Sequence, residues 1–183
     1  MAPNWFIAFP MQVDALRMHP APPPRVRVFA TSDLHVTLGF LGSVDESDAR
    51  RAWDRIGDFP SFRSVTGSFS GIEPLGHPGK PSALCAMVDD GREPLAEMIA
   101  EARETLLSAA GAPEDTRPPL PHMTLARIQR RAKAAERRQA LRWADTIDVR
   151  AVAFTAPSVA LYTWADDRQD RLFRIVERHV FDS

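Results

Sequence analysis

The sequence predicts an α+β fold of two similar lobes, each an antiparallel sheet with helices, facing one central cleft. Three observations carry this reading. The tetrad His-x-Thr-Leu occurs twice, at residues 35–38 and 122–125. Each copy is followed by the same order of segments, a helix and then a strand. Strands and helices intermingle without the strict alternation of parallel βαβ units, which favours antiparallel pairing. At this composition the tetrad should arise by chance at roughly 10⁻⁴ of positions, so two copies point to an internal duplication. Outside the tetrads the halves share little sequence. One two-lobed domain over residues 1–183 is expected.

The elements follow in order. Residues 4–9 form an aromatic and β-branched run stopped by Pro10, which reads as a buried strand. A short helix is expected over 11–18, ended by Pro20, Pro22, Pro23 and Pro24. Residues 25–29 alternate as an exposed strand does. On a strand over 34–41, His35 and Thr37 share one face while Val36 and Leu38 share the other. Asp45 is placed as N-cap of a helix over 46–57. A strand over 62–70 precedes 71–81, read as a loop from its three glycines and three prolines. Residues 82–88 are an apolar strand. Asp89, Asp90 and Gly91 then turn the chain into a helix with Pro94 in its first turn, which Gly111 stops near Ala110. A proline-rich connector over 112–121 leads to the second tetrad, where His122 and Thr124 share a face. A helix over 130–143 and strands over 147–154, 158–164 and 172–180 complete the chain.

Composition sets the outer limits. Hydrophobic residues make up 44% and charged residues 26%, as in ordinary soluble globular chains. No apolar run approaches a membrane span, and the start lacks the basic and apolar regions of a secretory signal. Cys85 is the only cysteine, so no intrachain disulfide can form and a reducing cytoplasm fits. The net charge of −1 argues against affinity built on coating phosphates with cations, so a nucleic-acid substrate should be gripped locally. A monomer is expected, and no protein partner is indicated.

Converging lobes would bring two imidazoles and two hydroxyls to one point. One neutral and one protonated imidazole are enough for general acid–base catalysis near neutrality. The hydroxyls of Thr37 and Thr124 suit the non-bridging oxygens of a phosphodiester. Arg127 could add fixed positive charge, provided the strand ends or bulges near Ala126, because strict alternation would aim it away from His122. His-x-Thr offers no second ligand at metal spacing, His-Glu-x-x-His does not occur, and no phosphate-binding glycine loop appears, so neither metal nor cofactor is expected. His19, His77 and His179 read as solvated, as does the basic run from Arg130 to Arg142.

HVTLGFLG and PHMTLAR resemble the paired motifs of the two-histidine phosphoesterases, most closely the RNA 2′,3′-cyclic phosphodiesterases, also called 2′-5′ RNA ligases. WFIAFP resembles their first strand. The resemblance implies hydrolysis of an RNA 2′,3′-cyclic phosphate to a 2′-phosphate, and a reversible, ATP-independent 2′-5′ joining of RNA ends. It implies His35 as proton donor to the leaving 3′ oxygen and His122 as the acceptor that activates water. Thr37, Thr124 and Arg127 would hold the phosphate. Val28 stands where many members carry tryptophan, and Gly39 where a basic residue is frequent. The C-terminal strands lack the serine-glycine-tyrosine pattern often found there. Two other readings stay open: a phosphodiesterase of small cyclic nucleotides, and a non-catalytic nucleotide- or RNA-binding module.

Overall fold

The structure is a computed structural model that describes residues 3–13 and 21–182. In chain order the strands are β1 (Trp5–Pro10), β2 (Gln12–Val13), β3 (Val26–Val28), β4 (His35–Gly42), β5 (Val65–His77), β6 (Lys80–Val88), β7 (His122–Ile128), β8 (Ala153–Ala156), β9 (Ser158–Trp164) and β10 (Phe173–Val180). The helices are α1 (Glu46–Trp53), α2 (Arg92–Ala109) and α3 (Ala134–Ala144). Every strand pairing is antiparallel, and the sheet runs β10-β9-β1-β4-β7-β6-β5-β8-β2, with β3 added beside β7. Only Met11 separates β1 from β2, although the two lie far apart in this order, so the sheet must curl back on itself. The fold is α+β, as predicted.

The sheet order is a palindrome around the contact of β4 with β7. β1 and β9 lie outside β4, and β6 and β5 lie outside β7. Each tetrad strand therefore has an inner partner from its own repeat, whereas the outer strand comes from the other. β5, which follows α1, pairs with β6; β9, which follows α3, pairs with β1. The lobes are thus built by strand exchange. The expected strand over 147–154 shrinks to Ala153–Ala156 because the chain turns at 150–151. The counterpart of β5 is β9, and β8 is an extra strand on the edge of β5.

Other expectations need correction. Within the region read as a helix over 11–18, Gln12 and Val13 are strand and pair with β8; residues 14–18 lie outside the described residues. The supposed loop over 71–81 is a hairpin of β5 and β6, with Pro74 opposite Leu84. β8 covers β5 only as far as Ser68, so beyond it β5 is an edge strand, where a proline facing outward loses no ladder bond. Helix α1 ends at Trp53, and α3 starts only at Ala134. Asp45 occupies the N-cap position of α1 without a side-chain cap bond. Gly111 does end α2 as expected: its φ is 65°, and the amides of Gly111 and Ala112 donate to Ser108 and Leu107.

One face of the sheet carries the main core. Ile7, Phe9, Val36, Leu38, Met123 and Leu125 pack there with Leu95, Met98, Ile99 and Leu106 of α2. The opposite face holds two smaller clusters, one per lobe. Phe6, Ala8, Ala160 and Tyr162 lie beside β4, and Ala83, Cys85 and Met87 lie beside β7. The candidate site lies between them.

Candidate active site

β4 and β7 meet at one ladder pair, Val36 with Met123. One step to either side, the antiparallel register sets His35 against Thr124 and Thr37 against His122. All four side chains stand on the face away from the main core, and all four are half-buried. The paired tetrads therefore bring these four side chains together at one candidate site.

Both strands bulge at the leucine of the tetrad. On β4, Thr37 pairs with Ala8 and Gly39 with Ile7, which leaves Leu38 as the extra residue. On β7, Thr124 pairs with Cys85 and Ala126 with Leu84, which leaves Leu125 extra. A bulge resets the alternation, so the fifth residue after each histidine returns to the site face. Those residues are Phe40 and Arg127, both exposed. The difficulty of aiming Arg127 is thereby resolved, and its charge reaches His35. Gly39 fits the bulge on the core side, where an added Cβ would meet only the Leu107 side chain at 4.0 Å.

The two imidazoles are tethered in the same way. His35 Nδ1 lies 2.6 Å from the carbonyl oxygen of Asp33, and His122 Nδ1 lies 2.6 Å from that of Leu120. A carbonyl can only accept, so each Nδ1 carries the hydrogen and each Nε2 is left for the cleft. Neutral, such an Nε2 takes a proton; protonated, it gives one.

Their surroundings differ. His35 is walled by Phe6, Tyr162 and Phe173, with ring centroids 4.8, 5.4 and 5.6 Å away. The buried Asp33 carboxylate fastens this wall by accepting from the amides of Leu172 (2.7 Å) and Phe173 (3.1 Å). Desolvation lowers the His35 pKa to about 4, and the charges of Arg127 and His122 push the same way against the Asp33 hydrogen bond. His122 instead lies opposite Met87 of β6, while Thr124, two residues on, lies opposite Cys85. The Cys85 Sγ lies 3.5 Å from Thr124 Oγ1, and burial pushes the Cys85 thiol up.

Two further residues of this site escaped the sequence reading. Asp33 looked like the edge of a motif, and nothing local marks a carboxylate whose partners are 139 and 140 residues away. Arg27 pairs directly with Arg127 and spans to the β9–β10 turn, where it donates to the carbonyls of Arg168 and Gln169. Of the other basic or imidazole residues, Arg137 is tied to the Pro81 and Arg130 carbonyls, while His77 and His179 are exposed. His19 lies outside the described residues. Among the described residues no cluster of three or more His, Cys, Asp or Glu could hold a metal ion, and no helix is long and apolar enough to cross a membrane.

Two tethered histidines thus stand on the central strands of an antiparallel α+β sheet. The chain belongs to the 2′-5′ RNA ligase superfamily, whose family description matches residues 7–168. Crystal structures share the fold. Escherichia coli LigT complexed with 3′-AMP is 18% identical with a TM-score of 0.67, over 98% of both chains. A protein described as a phosphoesterase is 19% identical with a TM-score of 0.67, over 100% of both. The protein TT0787 of Thermus thermophilus is 18% identical with a TM-score of 0.61, over 97% of both. A search of curated proteins found no match.

Proposed function

We propose that the protein hydrolyses 2′,3′-cyclic phosphate ends of RNA to 2′-phosphates by metal-independent acid–base catalysis. The observation that carries this reading is the matched tether of His35 and His122, which occupies both Nδ1 atoms and leaves both Nε2 atoms free on one face of the sheet. His122 takes a proton from water as the water oxygen attacks phosphorus. The bond to the ribose 3′ oxygen breaks on the far side, and His35 delivers its Nε2 proton to that oxygen. The products are a 2′-phosphate and a 3′-hydroxyl, and the pair is reset by exchanging one proton with solvent. Thr37 and Thr124 donate to the non-bridging oxygens, and Arg127 steadies the charge. A ribose 5′-hydroxyl in place of water forms a 2′-5′ bond by the same steps.

His35 must be charged to act as the acid, whereas burial favours its neutral form. A phosphodiester anion set against it compensates, because opposite charge restores the protonated state. Incubation of an RNA carrying a 2′,3′-cyclic phosphate, with EDTA present, tests the reading. A 2′-phosphate product is expected. No turnover, a 3′-phosphate product, or loss on chelation would overturn it.

A further inference from the structure

We propose that an arginine-lined cavity beside His35 is a second phosphate subsite, which holds a backbone phosphate of the RNA upstream of the reacting end. This rests on the function proposed above. The cavity measures about 700 Å³ and lies on the lobe of β1, β9 and β10. Among the described residues, Arg171, Arg174 and Arg178 line it together with Thr31, Ser32 and Tyr162, and no carboxylate does. Neither histidine lines it, but Tyr162 and Phe173 form a shared wall, facing the cavity and the His35 ring alike.

Two polar atoms there have no hydrogen-bond partner among the described residues: the Tyr162 hydroxyl and Arg174 Nε. Tyr162 is only 1% exposed. A buried hydroxyl without a partner is uncommon in a folded protein and calls for a ligand that accepts its hydrogen. Arg178 sits opposite Ala160, two residues from Tyr162 on the same face of β9, and its charge acts on the phenol. The carboxylates nearby are loosely paired or engaged elsewhere. Asp166 makes a long, exposed ion pair of 3.9 Å with Arg174 Nε, Glu177 is held by Arg50, and Asp33, whose charge also reaches the phenol, accepts from the Leu172 and Phe173 amides. A phosphate oxygen can accept from a phenol and from guanidinium groups at once.

Position supplies the rest. If His35 protonates the leaving 3′ oxygen, the ribose lies on the His35 side of the phosphorus and attacking water on the His122 side. The strand must then leave across the β1 lobe, where the cavity is. Three arginines gathered there, in a chain of net charge −1, supply the local grip that such a chain needs.

The test compares an oligoribonucleotide ending in a 2′,3′-cyclic phosphate with a single nucleoside 2′,3′-cyclic phosphate, in the parent and in R174Q/R178Q. The parent should prefer the oligonucleotide by about tenfold or more in kcat/KM. The variant should lose about tenfold on the oligonucleotide and under about twofold on the mononucleotide, with a shallower salt dependence. Equal loss on both substrates, or an unchanged oligonucleotide rate, overturns the subsite. A parent that cleaves neither substrate defeats the proposed reaction instead. Binding of a fluorescently labelled oligoribonucleotide ending in a 3′-phosphate then decides: weaker binding by the variant supports the subsite, and equal binding overturns it.

Discussion

The His35 and His122 strands share one backbone design and differ in almost everything that surrounds it. Both bulge at the tetrad leucine, both bury the residues between His and Thr, and both hold the imidazole by a carbonyl two residues earlier. Around His35 the neighbours are rings. Phe6 stacks on Tyr162 with an interplanar angle of 4°, and Phe173 meets Phe6 edge-on at 82°. Along the His122 strand they are Met87 opposite the imidazole, Cys85 opposite Thr124 and, through the bulge, the guanidinium of Arg127. At the matching position, β4 offers the side chain of Phe40. Duplication supplies two equivalent bases, and the unequal surroundings make it possible for them to act unequally. An aromatic wall favours a neutral imidazole in the free protein, whereas the acid of the proposed reaction needs a charged one, so under that proposal substrate charge is part of the switch.

The largest effect should come from the histidines themselves. His35→Ala and His122→Ala should each lower turnover of the cyclic phosphate by about 10³-fold. A p-nitrophenyl phosphodiester, whose leaving oxygen needs no proton, breaks the tie between them. His35→Ala should recover most of its activity on that substrate, and His122→Ala should not. The reverse pattern would exchange the two roles.

The tethers should separate next, in stability. Asp33→Ala leaves two backbone amides without their carboxylate and should cost about 3 kcal/mol in urea unfolding. Leu120→Ala keeps its carbonyl and truncates an exposed side chain, so it should cost under about 0.5 kcal/mol. Similar losses in the two variants would mean that the β10 wall contributes little to holding β4.

The smallest effect is one of pH. The unfolded chain protonates His35 near pH 6.5, while the folded chain resists until about 4. The unfolded state binds the extra proton in that window, so its stabilisation of the fold is lost as pH falls from 6.5 to 4. His35→Gln should therefore lose less stability than the parent over that range, read from urea midpoints. An identical slope in both proteins would show that the aromatic wall leaves His35 wet.

How much was legible beforehand follows from the range of each interaction. His35, Thr37, His122 and Thr124 could be paired because a repeat is visible in one dimension, and a two-residue alternation fixes which side chains share a face. The need for an irregularity beside Arg127 was also legible, since alternation alone gave the wrong side; that it is a bulge and not the strand's end came from the register. The strand identity of residues 71–77 was not, because glycine and proline signal a break unless the strand lies at an edge, and an edge is a property of the whole sheet. Strand exchange was hidden for the same reason. Nothing in residues 153–164 says which of the two strands there crosses to the other lobe.

The sequence by itself determined the fold class and which four side chains, with Arg127, were candidates to meet, because these depend on periodicity and repetition within short segments. Tertiary structure alone decided the surroundings: the rings around His35, the Asp33 anchor, Arg27 opposite Arg127, and the arginines gathered beside Tyr162. Those contacts join opposite ends of the chain, such as Phe6 with Phe173. Such neighbours are chosen by register and packing across the sheet, which no local pattern encodes.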